Sequence, residues 1–121
     1  MRRNLQRAAM LAGMLAAGGV MAQAVKNFTL DNKIGVTLAR VYISPTLDND
    51  WGQDVLGRDV LRHGEYAPIV FSPLNQLCVY DIKVEDISSN ELVWSGIDLC
   101  EVSVVTLLYD PVSGEGFADT R

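Results

Sequence analysis

Apolar residues recur at every second position through much of the chain after residue 24, the alternation of a half-buried β-strand. The clearest run is 76–85, where Cys78, Tyr80, Ile82 and Val84 fall on one face and Asp81, Lys83 and Glu85 on the other. Segment 25–30 carries Phe28 and Leu30 at the same period, and 36–44 and 102–109 are rich in β-branched and aromatic residues. Segment 91–97 pairs back on 76–85 through a hairpin loop at 86–90, with Leu92 and Trp94 pointing one way. Turn chemistry separates these runs: Asp31-Asn32-Lys33-Ile34-Gly35 reads as a turn, Pro45 stops a strand, and Asp98-Leu99-Cys100 bends the chain. Pro68 inside 65–71 marks an edge strand or a bulge.

Segment 47–64 breaks the alternation. Asp50 can cap a short helix, Gln53 can complete a capping box, and Gly57 can end it in a left-handed conformation. The pattern therefore predicts a helical turn over 51–56, pinned to the sheet by Trp51, Val55 and Leu56. Residues 111–121, rich in Ser, Gly and acids, read as a flexible C-terminal tail. Six or seven short strands at this spacing predict an all-β domain over 25–110. Its expected form is a small antiparallel β-sandwich, immunoglobulin-like or related, with one helical turn and one disulfide.

Residues 1–24 are different in kind. Arg2, Arg3 and Arg7 precede an uncharged apolar run, 8–21, which ends in Ala22-Gln23-Ala24. That is the order of a cleavable signal peptide, and the run is too short to span a bilayer. The arginine pair suits twin-arginine export in part, and the general secretory route fits as well. The expected location is periplasmic or secreted, with no stable membrane anchor after cleavage.

Export changes the charge and the cysteine chemistry. Loss of three arginines from ten basic side chains leaves seven against fifteen acidic ones, a net of −8. Such a surface repels phosphate backbones, so nucleic acid is not an expected partner. Cys78 and Cys100, both in the mature part, are expected to form one disulfide in an oxidising compartment. A zinc centre lacks ligands, since His63 is the chain's one histidine.

Candidate chemistry is sparse. Asp48, Asp50 and Asp54 could wrap a calcium ion, which takes six or more oxygens, although the EF-hand spacing is not met and capping explains Asp50 without an ion. His63 could act as a base but has no serine or cysteine placed beside it in the sequence as a nucleophile, and Ser113 does not sit in a nucleophile elbow. Asp81, Asp86, Asp98 and Glu101 read as solubilising charges, and Trp51 and Trp94 as core rather than as a ligand platform. The edge near Pro68 could take a partner by strand addition.

The segments Val41-Tyr42-Ile43-Ser44-Pro45, Asp50-Trp51-Gly52 with Asp54, Leu56-Gly57, Leu61 and Gly64, Cys78-Val79-Tyr80-Asp81-Ile82 and Asp98-Leu99-Cys100 resemble a family of small uncharacterised secreted bacterial proteins. Some relatives carry the label argininosuccinate lyase, which does not suit a short β-rich chain. The resemblance implies the fold but no functional residue. The expected function is an exported, non-enzymatic binding or interaction module without a cofactor, for a protein or small-molecule partner. The alternatives are a calcium-stabilised binding domain using the 48–54 loop, or a small hydrolase.

Overall fold

A computed structural model describes residues 27–48, 50–71 and 77–121. The signal-peptide expectation for 1–24 lies outside them. Among the described residues seven strands follow in order: β1 Phe28–Lys33, β2 Leu38–Pro45, β3 Tyr66–Ile69, β4 Val79–Asp86, β5 Glu91–Asp98, β6 Val104–Asp110 and β7 Glu115–Thr120. They form a four-stranded sheet in the order β3-β1-β6-β7 and a three-stranded sheet in the order β2-β4-β5. The all-β, two-sheet arrangement matches the sequence pattern. One pairing departs from it: β1 and β6 run parallel, with Leu30 beside Val105 and Asn32 beside Leu107, so the larger sheet is mixed.

Period-two burial builds the core. Leu30, Leu38, Val41, Ile82, Leu99, Val105 and Leu107 are fully enclosed. Phe28, Phe71 and Tyr80 make a run of ring contacts at 5.9 and 5.4 Å. Two bulges re-phase the alternation in the smaller sheet. One lies between Leu38 and Arg40 on β2, which lets Leu38 and Val41, three apart, both face inward. The other is on β5, where Tyr80 pairs with Ile97 but Ile82 pairs with Trp94. Gly96 supplies the left-handed backbone there (φ 72°), and its N–H donates to Asp81 Oδ1 at 2.9 Å.

The disulfide Cys78–Cys100 is present, with Cα atoms 5.1 Å apart. With Cys78 on the apolar face of 76–85 and Cys100 just before the run 102–109, the sequence pattern predicts a tie from the middle of the sandwich to its C-terminal strand. Instead it joins the start of β4 to the end of β5, where Leu99 N–H also donates to Cys78 O at 2.8 Å. It thus clamps neighbouring strands at the point where the chain leaves for β6.

Two further expectations are corrected. Segment 51–56 is not helical. Asp50 Oδ1 accepts from Gly52 N–H rather than from Gln53, and Gly52 is left-handed (φ 72°), a conformation no helix continues through. Val55 N–H there donates to Val41 O of β2, while Asp54 O and Leu56 O accept only turn bonds from Gly57 and Asp59 N–H. Residues 111–121 are not a loose tail either. Asp110 accepts Val112 N–H and the Ser113 hydroxyl, its carbonyl accepts Gly114 N–H, and Gly114 is left-handed (φ 77°). That turn reverses the chain into β7, which pairs antiparallel with β6.

Gly116 of β7 is a close-approach position. A Cβ there would lie 2.7 Å from Trp94 Cζ2, and Trp94 is only 5% exposed. Gly116→Ala is expected to lose about 1–3 kcal/mol through overpacking, measurable by denaturant unfolding, with a changed Trp94 signal in near-ultraviolet circular dichroism.

Candidate functional site

The open side of β2 is sealed by the irregular segment 54–61. Asp54 Oδ1 accepts the N–H groups of Val41 and Leu56 at 2.9 and 3.0 Å, and Val55 N–H donates to Val41 O at 2.8 Å. Leu38 and Leu61 exchange both backbone bonds, at 2.8 and 2.9 Å. One carboxylate and three backbone bonds thus take the place of an eighth strand. Upstream, the Ser44 hydroxyl donates to Asp50 O, and Trp51 lies over Lys83 Nζ at 5.2 Å while Tyr42 contacts the same ammonium at 5.0 Å. This cation–π stack holds the loop to the outer face of the small sheet.

From Leu61 the chain crosses to the large sheet. Asn32 sits at the crossing, its amide donating to Val36 O and Leu61 O and its Oδ1 accepting Ile34 N–H. Because the crossing segment stands clear of β3, a groove of about 840 Å³ opens between 55–62 and that strand. Val55, Arg58, Val60, Arg62, Tyr66 and Pro68 are among its walls. Tyr66 is 72% exposed, a large aromatic surface left open to solvent. Arg62 and Glu65 form an exposed pair at 3.6 Å, which adds little stability but keeps both signs of charge at the rim.

The backbone of β3 faces this groove in part. Thr29 N–H donates to Ser103 O, so Thr29 turns its polar groups toward β6 and away from its β3 partner, Pro68. By alternation Tyr66 and Pro68 direct their backbone groups to the open side. Pro68, lacking an N–H, therefore occupies an edge position, as its sequence signal implies.

The other candidate residues are occupied structurally. Asp48 Oδ1 accepts Asp50 N–H, Asp50 accepts Gly52 N–H, and Asp54 carries the two bonds above. The three carboxylates do not gather: among the described residues the one group of three ligand-type side chains within 4.8 Å is Cys78, Asp98 and Cys100, whose sulfurs are bonded to each other. His63 Nδ1 accepts Gly35 N–H at 2.9 Å, tying two turns together. Asp81 bonds Thr46 Oγ1 as well as Gly96, and Asp98 accepts Cys100 N–H. Asp86 caps the β4–β5 hairpin. The Asn90 side chain, followed by the Asn90 and Ser88 backbone N–H groups, holds its carboxyl below the ordinary range. A carboxyl lowered on folding stabilises above its unfolded value and loses that contribution as the pH falls through the folded one.

Sequence reading found the edge at Pro68 but missed the groove. Its walls, 55–62 and β3, are brought together by the Leu38–Leu61 bridge and by Asn32, neither of which has a local pattern that announces a cavity.

These elements define a disulfide-clamped, mixed β-sandwich with one edge sealed by an irregular segment. No family model matches the chain, and no curated protein matches it. Among solved structures it is similar to the NMR structure of a protein from Eubacterium rectale. The TM-score is 0.56 at 12% identity, covering 85% of this chain and 94% of that one. That likeness is one of fold.

Proposed function

We propose that this chain is an exported, non-enzymatic interaction module whose groove beside β3 receives an extended polypeptide segment. The observation that carries the reading is the open groove with Tyr66 exposed on its wall. Apolar Val55 and Val60, cationic Arg58 and Arg62, and acidic Asp59 and Glu65 line one cleft. A polypeptide, which alternates apolar and charged side chains along an extended backbone, complements such a mixture. The outward carbonyls of Tyr66 and Pro68 offer acceptors to its N–H groups. Export fits the disulfide, which persists in oxidising compartments, and the charge order of residues 1–24. The likeness to small secreted bacterial proteins points the same way.

Selection from a library of random twelve-residue peptides tests the reading. Enriched peptides are expected to bind the protein at micromolar Kd and to lose roughly tenfold in affinity against Tyr66→Ala, the scale of a central aromatic anchor. No enrichment, or peptides that bind Tyr66→Ala equally well, would overturn it.

A further inference from the structure

Among the described residues the two sheets have four edges, and three of these are covered, interrupted by a bulge, or, at β3, shortened and deprived of one donor by a proline. The β2 edge is sealed by Asp54, Val55 and Leu61. The β3 edge is four residues long and carries Pro68. The β5 edge is interrupted by the bulge at Gly96. Among the described residues the β7 edge has none of these devices: it holds six residues, with no proline, no lysine and no register shift against β6. Unguarded edges of this length are templates for another strand.

The geometry of β7 specifies which strand. Val104 and Arg121 exchange both backbone bonds, at 2.9 and 3.1 Å. By the alternation of antiparallel ladders, Phe117 and Asp119 also bond toward β6, while Gly116, Ala118 and Thr120 turn their N–H and C=O groups to the free side. Gly116 lies against Trp94 and Ala118 packs on the core, so Glu115, Phe117, Asp119 and Arg121 share the outer face.

We propose that the β7 edge pairs antiparallel with β7 of a second copy of this chain, joining the two larger sheets into one across a two-fold axis at Ala118. In that register Ala118 bonds to Ala118 of the second copy, and Gly116 bonds to Thr120 in both directions, six backbone bonds in all by ladder geometry. Glu115 then stands opposite Arg121 of the other copy, twice over, and Phe117, half exposed in one copy, stands opposite Asp119 of the other with the second Phe117 as its diagonal neighbour. A register centred on Phe117 would instead set Glu115 against Asp119, and one centred on Asp119 would set that carboxylate against itself. Like charges directly opposed reject both. A register centred on Thr120 opposes Asp119 to Arg121 but leaves only Thr120 bonded across the axis, so charge and ladder length together select the register at Ala118, and the association is an isologous one that closes as a dimer.

Sedimentation equilibrium of the purified protein across concentrations, with charge variants, tests this. Dimerisation is expected. Glu115→Arg and Arg121→Glu should each weaken it about tenfold, because each replaces two attractive pairs by two repulsive ones. The double variant carrying both changes should recover dimerisation to within about threefold of the original. Amide exchange at Gly116, Ala118 and Thr120 should slow as concentration rises, a readout that needs no variant. A monomer up to about 1 mM, a dimer indifferent to both single changes, or concentration-independent exchange at those three amides would overturn the proposal.

Discussion

Replacing both Cys78 and Cys100 by alanine is expected to lower the unfolding free energy by about 3 kcal/mol. The bridge spans a sequence separation of 22, and closing a loop of that length removes denatured-state entropy worth about 3 kcal/mol in the chain-entropy model. For a domain of this size, whose whole stability lies in the range of about 5–15 kcal/mol, the loss should lower Tm by roughly 15 °C. The position of the bridge sharpens the expectation. It clamps β4 to β5 beside a ladder that already closes with Leu99 N–H on Cys78 O, so its loss should loosen that end without altering the sheet order. The two single alanine variants should each cost nearly as much as the double, since either one abolishes the bond. Additive single effects, or a double-variant loss below about 1 kcal/mol, would show that packing at the two sites rather than the cross-link carries the stability.

Asn32 is the second position where a single change should be felt across the molecule. It is fully enclosed, and its side chain satisfies two carbonyls and one N–H: Val36 O, Leu61 O and Ile34 N–H. Its backbone adds bonds to Glu65 O and from Gly64 N–H. Asn32→Leu fills similar space but strands all three side-chain partners, of which those at Leu61 and Ile34 are buried, for an expected loss of about 3 kcal/mol. Asn32→Asp separates hydrogen bonding from shape. It keeps the acceptor for Ile34 N–H but points a carboxylate at two carbonyl oxygens, so burial and those dipoles raise the variant's carboxyl pKa. A carboxyl raised on folding stabilises at low pH and loses that contribution as pH rises, so denaturant unfolding of this variant should show more stability at pH 5 than at pH 7. Asn32→Leu should show no such gain on acidification. Equal pH responses in the two variants would contradict the hydrogen-bond account.

The part of the fold legible in the sequence is the part encoded by alternation. In β4, Tyr80, Ile82 and Val84 are buried and Lys83 and Glu85 are not, as the period dictates, and Pro68 falls on an edge. Three features escaped for physical reasons. The sequence pattern has Gln53 complete a helix cap, but Gly52 turns left-handed and Asp54 bonds across to Val41, so tertiary partners override a local signal. The strand β7 reads poorly because its inward positions are small, Gly116 against Trp94 and Ala118 on the core, and small residues do not signal burial. Asn32 reads as turn chemistry, yet it sits third in the inward series Phe28, Leu30, Asn32, and a polar residue in phase with a buried face was the available clue.

The candidate site was less legible than the fold. The acidic triplet at 48–54 drew attention through composition, and the structure spends each carboxylate on backbone N–H groups. Tyr66 drew none, because its significance comes from the distance that Leu61 and Asn32 impose between the crossing segment and β3.

The most direct test of the functional account is where a selected peptide binds. Two-dimensional amide NMR of the protein, titrated with a peptide enriched from the twelve-residue library, should show shift changes concentrated in 55–68 and strongest around Tyr66. Changes centred instead on the outer face of β4 and β5, or spread evenly over both sheets, would contradict a groove that recognises extended polypeptide.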